Sequence, residues 1–168
     1  SLRKLRGVVL VAAGFSLRKL TIFMYIHETK HRLDDKLYQG NIVCAFTCCV
    51  ENKAKLFVSN DIFSKFEQIL KDVLTKHKST AHIYMFMPDH IHLLLEGQTN
   101  DANVYKAIKL FKQKTGYFLS QNNSTFELQK DFYDHILRTD EDILKQVAYI
   151  LNNPVRAGLA ENWRDYPY

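Results

Sequence analysis

A chain of 168 residues is the length of one domain with room for a substantial hydrophobic core. Apolar residues make up 46% and charged residues 24%, the composition of a soluble globular protein, and no stretch is long and apolar enough to span a bilayer. A formal charge of +5 is compatible with a nucleic-acid partner without requiring one.

Residues 1–24 read as an N-terminal extension. Arg3, Lys4 and Arg6 precede the apolar run 7–15, which imitates a secretory signal. That run is short, Arg18 and Lys19 follow at once, and no small-x-small cleavage site ends it. The segment is expected to be an arm that touches DNA, sequence upstream of a start at Met24, or an appendage without function. Residues 25–168 form the expected single domain. Near its start, His27-Glu28-Thr29-Lys30-His31 satisfies His-Glu-x-x-His. A zinc peptidase needs that motif on a helix with an apolar face. Here Lys30, Arg32, Asp34 and Asp35 surround it, so a solvated surface segment is the expectation.

Residues 41–50, rich in Val, Cys, Phe and Thr, predict a strand. The three cysteines all lie in it; Cys44, Cys48 and Cys49 form no Cys-x-x-Cys pair and read as buried reduced thiols of a cytoplasmic protein. Ser59 or Asn60 can cap a helix on which Phe63, Phe66, Leu70, Val73 and Leu74 share a face. Strands over 81–87 and 90–96 follow, joined tightly by Pro88-Asp89. A second helix over about 103–119 buries Val104, Ala107, Ile108, Phe111 and Phe118, and carries Lys106, Lys109, Lys112 and Lys114 on its other side. Residues 121–125 are a polar loop, and 126–137 are extended or irregular. Thr139 with Asp142 matches a capping box that opens a third helix through Tyr149. Pro154 is expected to stop it near Asn152. The order strand, helix, strand, strand, helix, strand, helix predicts an α+β fold, an antiparallel sheet with helices packed on it.

Chemistry is concentrated in two places. Alternation along a strand sends His90 and His92 to one face and Ile91 to the core. Two imidazoles so placed can grip one metal ion, or can be an ordinary pair on a half-exposed strand. On the third helix, Tyr149 and Asn153 are four residues apart and project from one side. An asparagine carbonyl oxygen is an acceptable hard ligand for Mg²⁺ or Mn²⁺, and Gln146, one turn before Tyr149, could substitute or assist. Against this, the chain has nine tyrosines, and Tyr149 could be an amphipathic core residue.

Order and spacing of three motifs now point one way. They are Met-Pro-Asp-His90-Ile-His92-Leu-Leu-Leu, Asp131-Phe132-Tyr133-Asp134-His135-Ile136-Leu137-Arg138, and Tyr149-Ile-Leu-Asn-Asn153-Pro154-Val155-Arg156-Ala157-Gly158-Leu159, closed by Trp163 and Tyr166-Pro167. From about Lys36 to the C-terminus the chain resembles the single-tyrosine HUH transposases, in which U is a bulky apolar residue. It looks closest to the branch associated with repetitive extragenic palindromes (REP) in bacteria. The resemblance implies a ferredoxin-like sheet, a divalent Mg or Mn ion on His90 and His92 with Asn153 as third ligand, and Tyr149 as nucleophile. Asp89 stands where the family commonly has asparagine.

The same resemblance implies cleavage and strand transfer of hairpin-bearing single-stranded DNA through a 5′-phosphotyrosine. A free tyrosine has a pKa near ~10, so its attack at neutral pH needs help, which the ion would supply. The covalent link conserves the phosphodiester energy, so no nucleotide cofactor is expected, and no phosphate-cradling Gly-x-x-x-x-Gly-Lys loop is present. Lys106, Lys109, Lys112 and Lys114 are a candidate track for the DNA backbone, with a solvated helix face as the other reading; Arg156 joins the candidate DNA contacts. A rolling-circle initiator or relaxase, or a protein of the same fold that binds DNA without cutting, are the alternatives. A homodimer and a monomer are both open, and no membrane partner is expected.

Overall fold

Alternating apolar side chains need cover on each face of a sheet, and the computed structural model of the chain supplies it on both. The structure describes residues 34–122 and 124–168. The extension and the His27–His31 motif lie outside them. The elements are β1 (Val43–Cys49), α1 (Asn60–Lys76), β2 (Ser79–Met87), β3 (His90–Gly97), α2 (Val104–Gln121), β4 (Tyr133–Leu137) and α3 (Asp140–Arg156). The four strands lie in the order β2-β3-β1-β4, and every neighbouring pair is antiparallel. This is the expected α+β, ferredoxin-like order.

One sheet face packs against α1 and α2. Phe46, Phe86, Ile91, Leu93 and Leu95 point into this core, together with the anticipated stripe Phe63, Phe66, Leu70, Val73 and Leu74 of α1. Phe86 meets Phe57 and Phe63 edge-on, each at 5.1 Å between centroids. Each such buried ring contributes about 1.5–3 kcal/mol. The opposite face carries Val43, Ala45, Ile83, Met85, Met87 and Leu94 and is covered by α3 through Ile150 and Leu151. The molecule is therefore three layers, and among the described residues α3 is the one α-helix on its side, joined there by Trp163 and Tyr166 of the C-terminal segment. Cys44 and Cys48 are buried thiols and Cys49 is half-buried.

The caps follow the sequence with one difference. The Asn103 side chain accepts the Lys106 N–H at 2.8 Å, and Thr139 accepts the Asp142 N–H at 3.2 Å while donating to its carboxylate at 2.8 Å. Ser59 precedes α1 but makes no side-chain cap bond.

Pro154 does not end α3. The helix runs on to Arg156 with Pro154 inside it. Its stop is Gly158, whose φ of +67° a side chain would resist. The Gly158 N–H bonds to Val155 O at 3.0 Å and the Leu159 N–H to Pro154 O at 2.8 Å, closing a Schellman motif. Proline therefore gives up one donor in the final turn, while its carbonyl is used and its ring is buried. That extra turn matters for the site, because it keeps Arg156 on the helix.

Candidate active site

The Pro88-Asp89 turn starts β3 so that His90, His92 and Leu94 point towards α3, while Ile91 and Leu93 enter the other core, as alternation requires. Register sets β1 beside them: Thr47 lies opposite His92 and Cys49 opposite His90. The two imidazoles converge, Nε2 to Nε2, at 3.1 Å. Two nitrogens bound to one ion at about 2.1 Å each stand about 3.0–3.4 Å apart, so the pair suits a shared cation.

The outer nitrogens are held as well. The His90 Nδ1–H donates to Asp89 Oδ1 at 2.6 Å, which leaves His90 Nε2 a lone pair. His92 Nδ1 meets Thr47 Oγ1 at 2.9 Å, and a hydroxyl can either donate or accept there. When it donates, His92 Nε2–H completes a chain to His90. When it accepts, both Nε2 lone pairs face inward, ready for a metal. Burial, then the neighbouring His90 and Arg156, push His92 down to about 3. His92 is therefore neutral at physiological pH, the form that binds metal. Among the described residues no third His, Cys, Asp or Glu completes the set, so a further protein ligand has to be an amide or a hydroxyl.

α3 supplies that chemistry. Its Tyr149 ring stands edge-on to His92, 5.9 Å between centroids at 78°. One turn on, Asn153 donates Nδ2 to the Tyr149 carbonyl at 3.1 Å, which leaves its amide oxygen as an acceptor. Two turns on, the Arg156 guanidinium lies over the Tyr149 ring, 4.9 Å from its centroid. Gln146 is buried on the same helix. His90, His92, Tyr149 and Arg156 thus form one chain of contacts, and Asn153 shares α3 with the tyrosine one turn on.

The sequence model of the family described as "Transposase IS200 like" matches residues 38–139, well over half the chain. The chain belongs to the IS200-like transposases. A Haemophilus influenzae protein named as a candidate REP-associated tyrosine transposase is 27% identical over 136 residues, 73% of this chain and 76% of that one. A solved structure of the REP-associated tyrosine transposase bound to a REP hairpin superposes with a TM-score of 0.70 at 18% identity, covering 83% of this chain and 81% of that chain. This similarity extends the fold agreement past the matched family segment. As a member of a transposase family, this IS200-like transposase belongs with enzymes that cut and transfer DNA strands.

The matched family segment includes His90 and His92 and ends before Tyr149 and Asn153. Other residues singled out in the sequence stand apart. Lys106, Lys109 and Lys114 are exposed on α2, across the sheet from Tyr149. Lys112 turns its ammonium onto the carbonyls of Gln129, Lys130 (2.8 Å) and Asp131 (2.9 Å), fastening the chain that leads into β4. Thr47 was not legible as a site residue. Its signal is slight, one polar position in an apolar strand, and only the β1–β3 register pairs it with His92.

Proposed function

We propose that this IS200-like transposase cleaves hairpin-bearing single-stranded DNA with Tyr149 as nucleophile, beside a divalent Mg or Mn ion on His90, His92 and Asn153. The observation that carries this reading is the contact between Tyr149 and His92, whose Nε2 converges with that of His90 at 3.1 Å. Asp89 and Thr47 hold the two imidazoles with their metal-binding nitrogens inward. When bound, the ion would polarise the scissile phosphate and offset charge in the transition state.

The Tyr149 hydroxyl gives up its proton as its oxygen bonds to phosphorus. The bond from phosphorus to the 3′ oxygen breaks, and the departing oxygen takes up a proton as a free 3′-hydroxyl. A 5′-phosphotyrosine remains, and attack by a 3′-hydroxyl reverses the sequence and rejoins a strand. Arg156, against the tyrosine ring, brings positive charge to where the phosphate would sit. The hairpin is suggested by the similar protein, whose structure holds a REP hairpin.

The test is a covalent adduct on a denaturing gel. Wild type, Tyr117→Phe and Tyr133→Phe, incubated with labelled hairpin-bearing single-stranded DNA and Mg²⁺ or Mn²⁺, form it; Tyr149→Phe does not. An adduct that persists in Tyr149→Phe overturns the proposal.

A further inference from the structure

A dication that reaches the histidines before DNA does has no phosphate to hold it, so the charge of the protein decides whether it stays. The two imidazoles contribute none: His92 is neutral, and His90 offers Nε2 as a lone pair because its Nδ1 carries the proton. Arg156 works against the ion. It lies 4.9 Å over the Tyr149 ring, that ring stands 5.9 Å from His92, and the guanidinium charge is felt at His92. Positive charge there suits a phosphate and opposes a metal.

Asp89 supplies the opposite sign. Its Oδ1 accepts the His90 Nδ1–H at 2.6 Å, and among the described residues no lysine or arginine forms a salt bridge with it. It is not itself a third ligand, because the described His, Cys, Asp and Glu form no group of three able to hold an ion. The carboxylate acts through the ring: negative charge at the outer nitrogen makes the inner one a stronger donor to a cation. Both side chains are partly buried, so salt screens this charge less than it would in open solvent.

The arrangement is also fixed before DNA binds. The Asp89 carbonyl accepts the Val50 N–H at 2.8 Å, and the Pro88 carbonyl accepts the Phe57 N–H at 3.0 Å. The turn is thus pinned from two sides, and the inner nitrogens already converge at 3.1 Å. With the geometry in place, loading turns on the balance between one carboxylate and one guanidinium.

We infer that the Asp89 carboxylate offsets Arg156 at this site, so that a divalent cation settles on His90 and His92 before any DNA is bound. Asp89 is then a positioning residue for the ion, and Arg156 is kept for the phosphate that follows. The inference rests on the metal site proposed above. It does not depend on whether Tyr149→Phe forms an adduct.

The test titrates Mn²⁺ into the full chain without DNA, at low ionic strength, and counts free ion by electron paramagnetic resonance. Wild type takes up one ion at the histidines, shown by nitrogen couplings that His90→Ala removes. Asp89→Asn keeps a side-chain oxygen that accepts the His90 proton, yet it binds Mn²⁺ at least about tenfold more weakly. Adding Arg156→Gln to Asp89→Asn recovers at least about threefold of that loss, which a merely structural role for Asp89 would not allow. Should Asp89→Asn fail to fold, Arg156→Gln alone carries the test, with Mn²⁺ affinity raised about threefold over wild type. Equal affinity in wild type and Asp89→Asn, or no gain from Arg156→Gln, overturns the inference. If the nitrogen couplings are present in that case, the metal site stands and only the charge balance is wrong. An ion bound without those couplings removes the metal site itself.

Discussion

Thr47 and Asp89 do related work on different imidazoles, and they differ in freedom. The Asp89 carboxylate accepts only, so it fixes the His90 tautomer; the Thr47 hydroxyl can reverse its role as the His92 ring changes tautomer. On the proposed metal site, Thr47→Val would therefore lower Mn²⁺ affinity about tenfold in calorimetric titration, whereas Thr47→Ser would retain it. His92 also makes the metal-free protein sensitive to acid. Its folded pKa, about 3, lies below the ordinary value of 6.5, so below that value the unfolded chain binds the extra proton. The stability due to a neutral His92 is complete above pH 6.5 and falls as pH drops towards 3. Between pH 7 and 5 the loss on this account is up to about 2 kcal/mol. Urea midpoints measured in EDTA will show this slope in wild type and not in His92→Asn. The histidine pair was legible because strand alternation is local. Thr47 was not, because its partner is 45 residues away and only sheet register brings them together.

At the scale of elements, α3 is the one on which the site depends. Its start could be read from Thr139 and Asp142, and the side that brings Tyr149 against His92 from the i,i+4 spacing of Tyr149 and Asn153, since caps and such spacings are written in short stretches. Its end was misread. Pro154 is a stop signal only where the lost donor and the displaced carbonyl cannot be absorbed, and the final turn of this helix absorbs them. Gly158 sets the end, and there the space around a Cβ is open, so the conformation alone demands glycine. Gly158→Ala will destabilise the fold by about 1 kcal/mol without a packing clash, read from denaturant midpoints. It will also loosen the last turn, which carries Arg156. Arg156→Gln will reduce adduct formation about tenfold while leaving the melting temperature close to wild type, because the side chain is exposed and its partner is the Tyr149 ring.

The order of strands and helices along the chain was legible, and with it the ferredoxin-like class. Which face each helix covers was not, because an amphipathic stripe says that a helix packs without saying against which side. That gap decides the fate of the α2 lysines. They lie beyond the sheet from Tyr149, so a short unstructured strand in the site does not meet them. Changing Lys106, Lys109 and Lys114 together to Gln will leave adduct formation on such a strand within about twofold, and will weaken binding and its salt dependence only where a duplex arm reaches round the molecule. A large loss on the short strand would place the DNA on the α2 side instead.

The tail beyond α3 adds a constraint of a mechanical kind. After Gly158 the chain turns back, and the Tyr166 hydroxyl donates to Phe86 O on β2 at 2.8 Å, while Tyr168 settles against Phe63 of α1. At its other end α3 follows β4 after only two residues. The helix is thus moored to opposite margins of the sheet, like a beam fixed at both ends. A DNA end joined to Tyr149 would inherit that immobility. Exchange of one strand for another would then be a journey made by the nucleic acid over a stationary protein, with the pace of rejoining set by how quickly a 3′ end diffuses back to the moored phosphate.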